Sequence, residues 1–128
     1  LAEADPSLDI NGTDAAQKAC ILAALAFHVP FDFSFVSFEG IEEVELEDIK
    51  YAKELGYSVK HIALGELDNN VVGVSAYPTL VDKETLLSQV GKEMNALEIF
   101  SEGVGSTVYY GPGAGPEPAG DTEWAHCP

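Results

Sequence analysis

The chain has 128 residues, with 6 basic and 22 acidic side chains and a formal net charge of −16. That length fits one domain, and 46% apolar residues suffice for a packed core, which excludes global disorder. The charge argues against nucleic acid and anionic membranes as partners, since phosphates would meet a field of their own sign. No run of about 18 apolar residues marks a transmembrane span. The opening residues are acidic where a signal peptide would be basic, so a cytoplasmic protein is expected. Cys20 and Cys127 make no disulfide framework: Cys20 reads as a small buried hydrophobe and Cys127 as a tail thiol. His28, His61 and His126 share no ligand spacing with either cysteine, so no metal site is expected.

In chain order, the first predicted element is a helix from Ala15 to Phe27, in which Lys18, Ile21, Leu22, Leu25 and Ala26 recur at helical spacing. Thr13 or Asp14 would cap it, and Pro30 would stop it by pushing Val29 out of the α region. The helix is apolar almost all round, which predicts that most of it is buried. Phe31 to Phe35 alternates with period two and reads as an extended segment with a bulge near Phe35. A second helix is expected from Leu46 to Leu55, closed by Gly56. Ser58–Leu64 and Val71–Tyr77 read as strands around an Asp68-Asn69-Asn70 turn, with Pro78 ending the second. Lys83 to Gly91 reads as a short helix with Leu86, Leu87 and Val90 inward. Asn95–Phe100 and Ser106–Tyr110 read as a hairpin. Paired neighbouring strands predict the α+β class: a mixed, largely antiparallel sheet with helices covering one face. From Gly111 onward Gly and Pro dominate, and the last nine or so residues are expected to lack fixed structure.

Acidic residues crowd the start: Glu3, Asp5, Asp9 and Asp14, with Lys18 one helical turn beyond Asp14. Asp14 and Lys18 share a helix face at i and i+4. Two accounts stand side by side. One is an acidic helix entry that complements the dipole, with an ordinary surface ion pair behind it. The other is a proton-transfer site, in which Lys18 serves a substrate oxygen while Glu3 and Asp9 hold a substrate ammonium group. Ser7, Asp9, Asn11 and Gly12 fit the early positions of a calcium loop, but Lys18 stands where the bidentate Glu is required. Calcium is therefore rejected. The Asn11-Gly12-Thr13 sequon reads as coincidence in a chain without a secretory signal.

The stretch from Glu3 through Asp5, Pro6, Asp9, Asn11, Gly12 and Asp14 to Lys18 resembles the signature of homoserine dehydrogenase. Glu39-Gly-Ile, Asp48 through Tyr57, Tyr77-Pro-Thr-Leu-Val81, and Asn95-Ala followed by Tyr110-Gly-Pro-Gly-Ala-Gly115 are similar to that family in the same order. The resemblance covers residues 1 to about 118. Leu1 stands where relatives often place an aromatic residue, and Ala119 to Pro128 does not match the family's continuation. The resemblance implies interconversion of L-homoserine and L-aspartate 4-semialdehyde with NAD or NADP, towards threonine, isoleucine and methionine. It assigns Lys18 as the proton-transfer lysine, Asp14 as the aspartate that positions it, and Glu3 and Asp9 as substrate-pocket acids. It also turns the Gly111–Gly115 loop towards the cofactor, with Gly113 and Gly115 allowing close approach; a plain Gly-rich linker is the other reading. No Gly-x-Gly-x-x-Gly strand-to-helix turn is present. The chain therefore looks like the substrate domain of a larger enzyme, inactive alone and expected to form a homodimer. The alternative is a non-catalytic dimerisation or small-amino-acid-binding module.

Overall fold

Two adjacent asparagines turn the chain back on itself and create the main sheet. In the computed structural model, which describes residues 10–91 and 93–113, Asn69 and Asn70 adopt left-handed φ values of 50° and 63°. Consecutive left-handed residues form the two-residue turn whose twist matches that of paired strands. The elements in order are helix α1 (Thr13–Phe27), a 3-10 turn (Phe33–Phe35), strand β1 (Ser37–Phe38), helix α2 (Leu46–Glu54), strands β2 (Tyr57–Asp68) and β3 (Val71–Asp82), a second 3-10 turn (Leu87–Gln89), and strands β4 (Met94–Ser101) and β5 (Gly105–Pro112). These residues fall into two units, one ending at Lys83 and the other beginning at Glu84.

In the first unit the strand order is β1-β3-β2. β2 and β3 pair antiparallel without a break from Asp68–Val71 to Tyr57–Asp82, and β1 adds in parallel at Ser75 and Ala76. The α+β class with a mixed, mostly antiparallel sheet is thus observed. α1 lies over one face of this sheet, and contact there is close because both surfaces are small. Ala16, Ala19, Cys20 and Ala23 are the buried residues of α1, and Ala76 beneath is fully buried. A Cβ placed on Gly65 would stand 3.3 Å from the Ala23 methyl. The larger side chains of α1 lie elsewhere: Ile21, Leu22 and Leu25 are 48%, 45% and 70% exposed. The expectation that most of the helix is buried is therefore corrected. Helix and sheet meet through alanine and glycine, which leaves the bulky stripe on the outer face.

Other local expectations also change. Phe33–Phe35 is a 3-10 turn rather than a bulged strand, because the Asp32 carboxylate accepts hydrogen bonds from the Ser34 amide (3.0 Å) and hydroxyl (2.6 Å). Such an Asx turn offers the backbone a local alternative to a ladder. α2 follows its prediction closely: Asp48 accepts the Glu45 amide at 2.9 Å, and Gly56 closes it with φ 90°. β3 runs through Pro78 to Asp82, since Pro78 lies opposite His61 with its missing N–H directed away from β2.

The second unit contains an antiparallel β4–β5 hairpin in register from Met94–Pro112 to Ser101–Gly105, as predicted. The helix expected between Lys83 and Gly91 is only the Leu87–Gln89 turn, and Leu86 is 69% exposed rather than inward. The Ser88 hydroxyl donates to Thr85 O at 2.7 Å, a back-bond that suits a single tight turn.

Filling the helix–sheet contact tests this packing. Gly65→Val is expected to destabilise the chain by about 1–3 kcal/mol in urea unfolding, the usual cost of overpacking. An unchanged midpoint would show that α1 does not press on β2.

Candidate functional site

The site begins where two loops cross. Gly12 is the N-cap of α1 and sits at φ 85°, a left-handed conformation that glycine adopts without penalty. The Asn11 side-chain oxygen accepts the Thr13 amide at 2.9 Å, and Gly12 O accepts the Ala16 amide at 3.0 Å. The cap is therefore supplied by Asn11 and Gly12, not by the Thr13 or Asp14 side chains expected from sequence; Thr13 and Asp14 already lie inside the helix. Across from them, the Ile41 amide donates to Ile10 O at 2.8 Å and the Glu39 amide to Ala76 O at 2.9 Å. A Cβ on Gly40 would run into Ile10 O and the Asn11 backbone. Both crossing segments thus need glycine where they touch. The loop at 39–41 joins the start of α1 to the sheet.

From this anchored start, α1 projects Asp14 and Lys18 outward. Lys18 Nζ lies 2.6 Å from Asp14 Oδ2, and the two side chains are 66% and 39% exposed. Steps of three and four place Asp14, Lys18, Ile21, Leu22 and Leu25 on one stripe, opposite the buried alanines. The ion pair is thus the polar end of an otherwise apolar outward face. Glu3 and Asp9, the acids expected to bind substrate, lie outside the described residues, as does Gly115. Gly113 is described, and its amide donates to Glu93 O at 2.8 Å. The Asn95 side chain fills the space where a Gly113 Cβ would stand, which gives that glycine an internal steric reason.

An apolar cavity of about 270 Å³ lies behind α1, lined by Cys20, Ala23, Val29, Phe35, Val72 and Val74 among others. It is on the sheet side of the helix, away from Lys18. Cys20 is a free, buried thiol, as predicted. Among the described residues no cluster of His, Cys, Asp and Glu is arranged to hold a metal ion, and no helix is long and apolar enough to cross a membrane. His61, Pro78, Gly40 and Asn95 were not singled out by sequence reasoning as site-shaping residues. Glu39-Gly40-Ile41 was visible only as a resemblance, and the rest depend on strand register.

A helix pinned at its glycine N-cap over a mixed sheet, with a carboxylate–ammonium pair on its outward face, makes the first unit an α+β fold. The chain belongs to the homoserine dehydrogenase family, whose profile matches residues 1–122. It is 44% identical over 118 residues to homoserine dehydrogenase of Bacillus subtilis, covering 92% of this chain and 27% of that protein. The Pseudomonas aeruginosa homoserine dehydrogenase is 42% identical, with 91% and 27% covered. Among solved structures, homoserine dehydrogenase from Thiobacillus denitrificans superposes with a TM-score of 0.88 at 44% identity, over 91% of this chain and 27% of that one. The Staphylococcus aureus homoserine dehydrogenase at pH 6.5 gives 0.85 at 43% identity, over 89% and 29%. The chain therefore spans little more than a quarter of the length of these relatives.

The exposure of the pair sets its energetic weight. Asp14→Asn is expected to change folding stability by less than about 1 kcal/mol, as for other solvent-exposed pairs. Thermal unfolding of the variant checks this, and a several-fold larger loss would make the pair a structural bond instead.

Proposed function

We propose that this chain is the substrate-side segment of a homoserine dehydrogenase that interconverts L-homoserine and L-aspartate 4-semialdehyde. The single observation that carries the reading is the Asp14–Lys18 pair, held at 2.6 Å on the outward face of α1 within the family's matching segment. Reduction of an aldehyde leaves negative charge on its oxygen. An ammonium group held against that oxygen stabilises the charge and supplies the proton. Lys18 takes this role, and Asp14 fixes the direction of its ammonium group. Glu3 and Asp9 bind the substrate's amino group, an assignment that rests on the resemblance.

NAD or NADP is the proposed cofactor class. The described residues do not fit its main site: they contain no parallel strand–helix–strand unit with a Gly-rich turn, and Gly111 and Pro112 are the last residues of β5 in an antiparallel hairpin, with Gly113 just beyond. The dinucleotide site is accordingly assigned to the remaining length of the enzyme, with Gly113 and Gly115 as close-approach positions from this side. The outward orientation of Lys18 supports the same division, since the substrate pocket then closes between α1 and a part of the enzyme beyond this segment. The place of the reaction in threonine, isoleucine and methionine synthesis, and a cytoplasmic setting, follow as part of this proposal.

In the complete enzyme, Lys18→Ala is expected to lower kcat by about 10²–10⁴-fold, the usual weight of a positioned acid–base group, with a smaller change in KM. Turnover retained in that variant would remove Lys18 from the chemistry.

The proposed homodimer draws on exposed apolar side chains on both faces of the β4–β5 hairpin. Phe100, Tyr109 and Tyr110 on the hairpin are 76%, 62% and 60% exposed, and a two-stranded hairpin is marginal on its own. Sedimentation of the 128-residue chain at micromolar concentration is expected to show self-association; a stable monomer would count against it.

A further inference from the structure

The Glu39 amide donates to Ala76 O at 2.9 Å, the last rung of the parallel pairing between β1 and β3. In a parallel ladder, the next rung would run from the amide of residue 78 back to Glu39 O. Residue 78 is proline, which has no N–H. The β2–β3 register places His61 directly opposite Pro78, and His61 Nε2 lies 2.7 Å from Glu39 O. Facing a carbonyl, that nitrogen is the donor. The imidazole thus gives Glu39 O the donor that residue 78 cannot supply.

The start of α1 rests on the same pair. A Cβ on Gly12 would stand 2.8 Å from Glu39 O and 3.2 Å from His61 Nε2, so these two atoms close the space beside Gly12 and leave no room for a side chain. Gly12 is the N-cap, and Lys18 lies six residues along a rigid helix, roughly 9 Å at 1.5 Å per residue. A displaced cap therefore displaces the ammonium group with it.

We propose that His61 is a positioning residue for the Asp14–Lys18 pair: its Nε2–H holds Glu39 O in place of the amide that Pro78 lacks, and this carbonyl is the stop that sets the start of α1. The inference rests on Lys18 being the proton donor. Without the imidazole, Glu39 O loses its donor beside the cap, and the space next to Gly12 is no longer closed on that side. Glutamine can return an N–H to nearly the same point, because its amide nitrogen reaches about as far as Nε2. Replacing Pro78 by alanine returns an N–H through the backbone instead.

These two independent repairs make the test. In the complete enzyme, His61→Ala is expected to lower kcat about 10–100-fold, the scale of a small misplacement at a reacting centre, while KM for homoserine moves far less. His61→Gln should recover most of kcat, and so should the double variant H61A/P78A. In the 128-residue chain, H61A should accelerate amide hydrogen exchange at Ala16 and Ile41, and P78A added to it should slow that exchange again. An unchanged kcat in H61A, or recovery in neither repaired variant, overturns the proposal. If H61A unfolds, the exchange rates and kcat of H61Q carry the test instead: near wild type supports the role, and loss overturns it. Failure of the Lys18 reading looks different, since Lys18→Ala would then retain turnover while the exchange pattern of the His61 variants stood.

Discussion

No Cβ fits at Gly12 or at Gly40, where residues 10–12 cross residues 39–41, and the placement of α1 depends on that close approach. Gly40 meets the Ile10 and Asn11 backbone, and Gly12 meets the Glu39 carbonyl. Backbone contact at this distance lets the Ile41 amide reach Ile10 O at 2.8 Å and ties the start of α1 to a strand that is only two residues long. A helix fixed at its first turn points every later residue in a set direction. The start of the helix sets where Lys18 and Asp14 stand along it, while their own exposed bond orients the ammonium group and adds little to stability.

The same economy of side-chain volume governs the helix–sheet contact. Ala16, Ala19, Cys20 and Ala23 face a sheet surface that includes Gly65 and Ala76, so the backbones approach closely with little room for large groups. The bulky residues of the helix consequently face away from its own sheet. Ile21, Leu22 and Leu25 continue the stripe begun by Asp14 and Lys18. An apolar stripe ending in an ion pair makes sense as a surface covered in a longer chain, which agrees with a segment spanning about a quarter of its relatives. On the proposed reading, the charged pair stands at the edge of that surface, where a substrate would be both desolvated and protonated.

Much of the local structure was legible in sequence because its causes are local. The Asn69-Asn70 turn, the Gly56 stop and the β4–β5 hairpin each follow from residues adjacent in the chain, and each was found within a few residues of its observed bounds. The misreadings share a cause. Phe31 to Phe35 alternates like a strand, but the Asp32 carboxylate takes the Ser34 amide first. Pro78 reads as a terminator, yet at its register β2 asks nothing of its nitrogen. The Ile21, Leu22 and Leu25 stripe reads as core because hydrophobicity alone does not say which of two apolar helix faces meets the sheet.

Sequence by itself determined the α+β class, the pairing of neighbouring strands, the spacing that puts Asp14 and Lys18 on one helical face, and the family to which those residues belong. These follow from periodicity, turn chemistry and residue order, all of which act over a few positions. Tertiary structure alone decided which face of α1 is buried, that Asn11 and Gly12 cap it, and that His61 meets Glu39 O opposite Pro78. The Asn11 cap is local, two positions from Thr13, but it forms beside a Gly12 turned left-handed against the crossing loop. The His61 contact joins residues 22 positions apart. It exists only once strand register is set, because a slip of one residue would send His61 to the other face of the sheet.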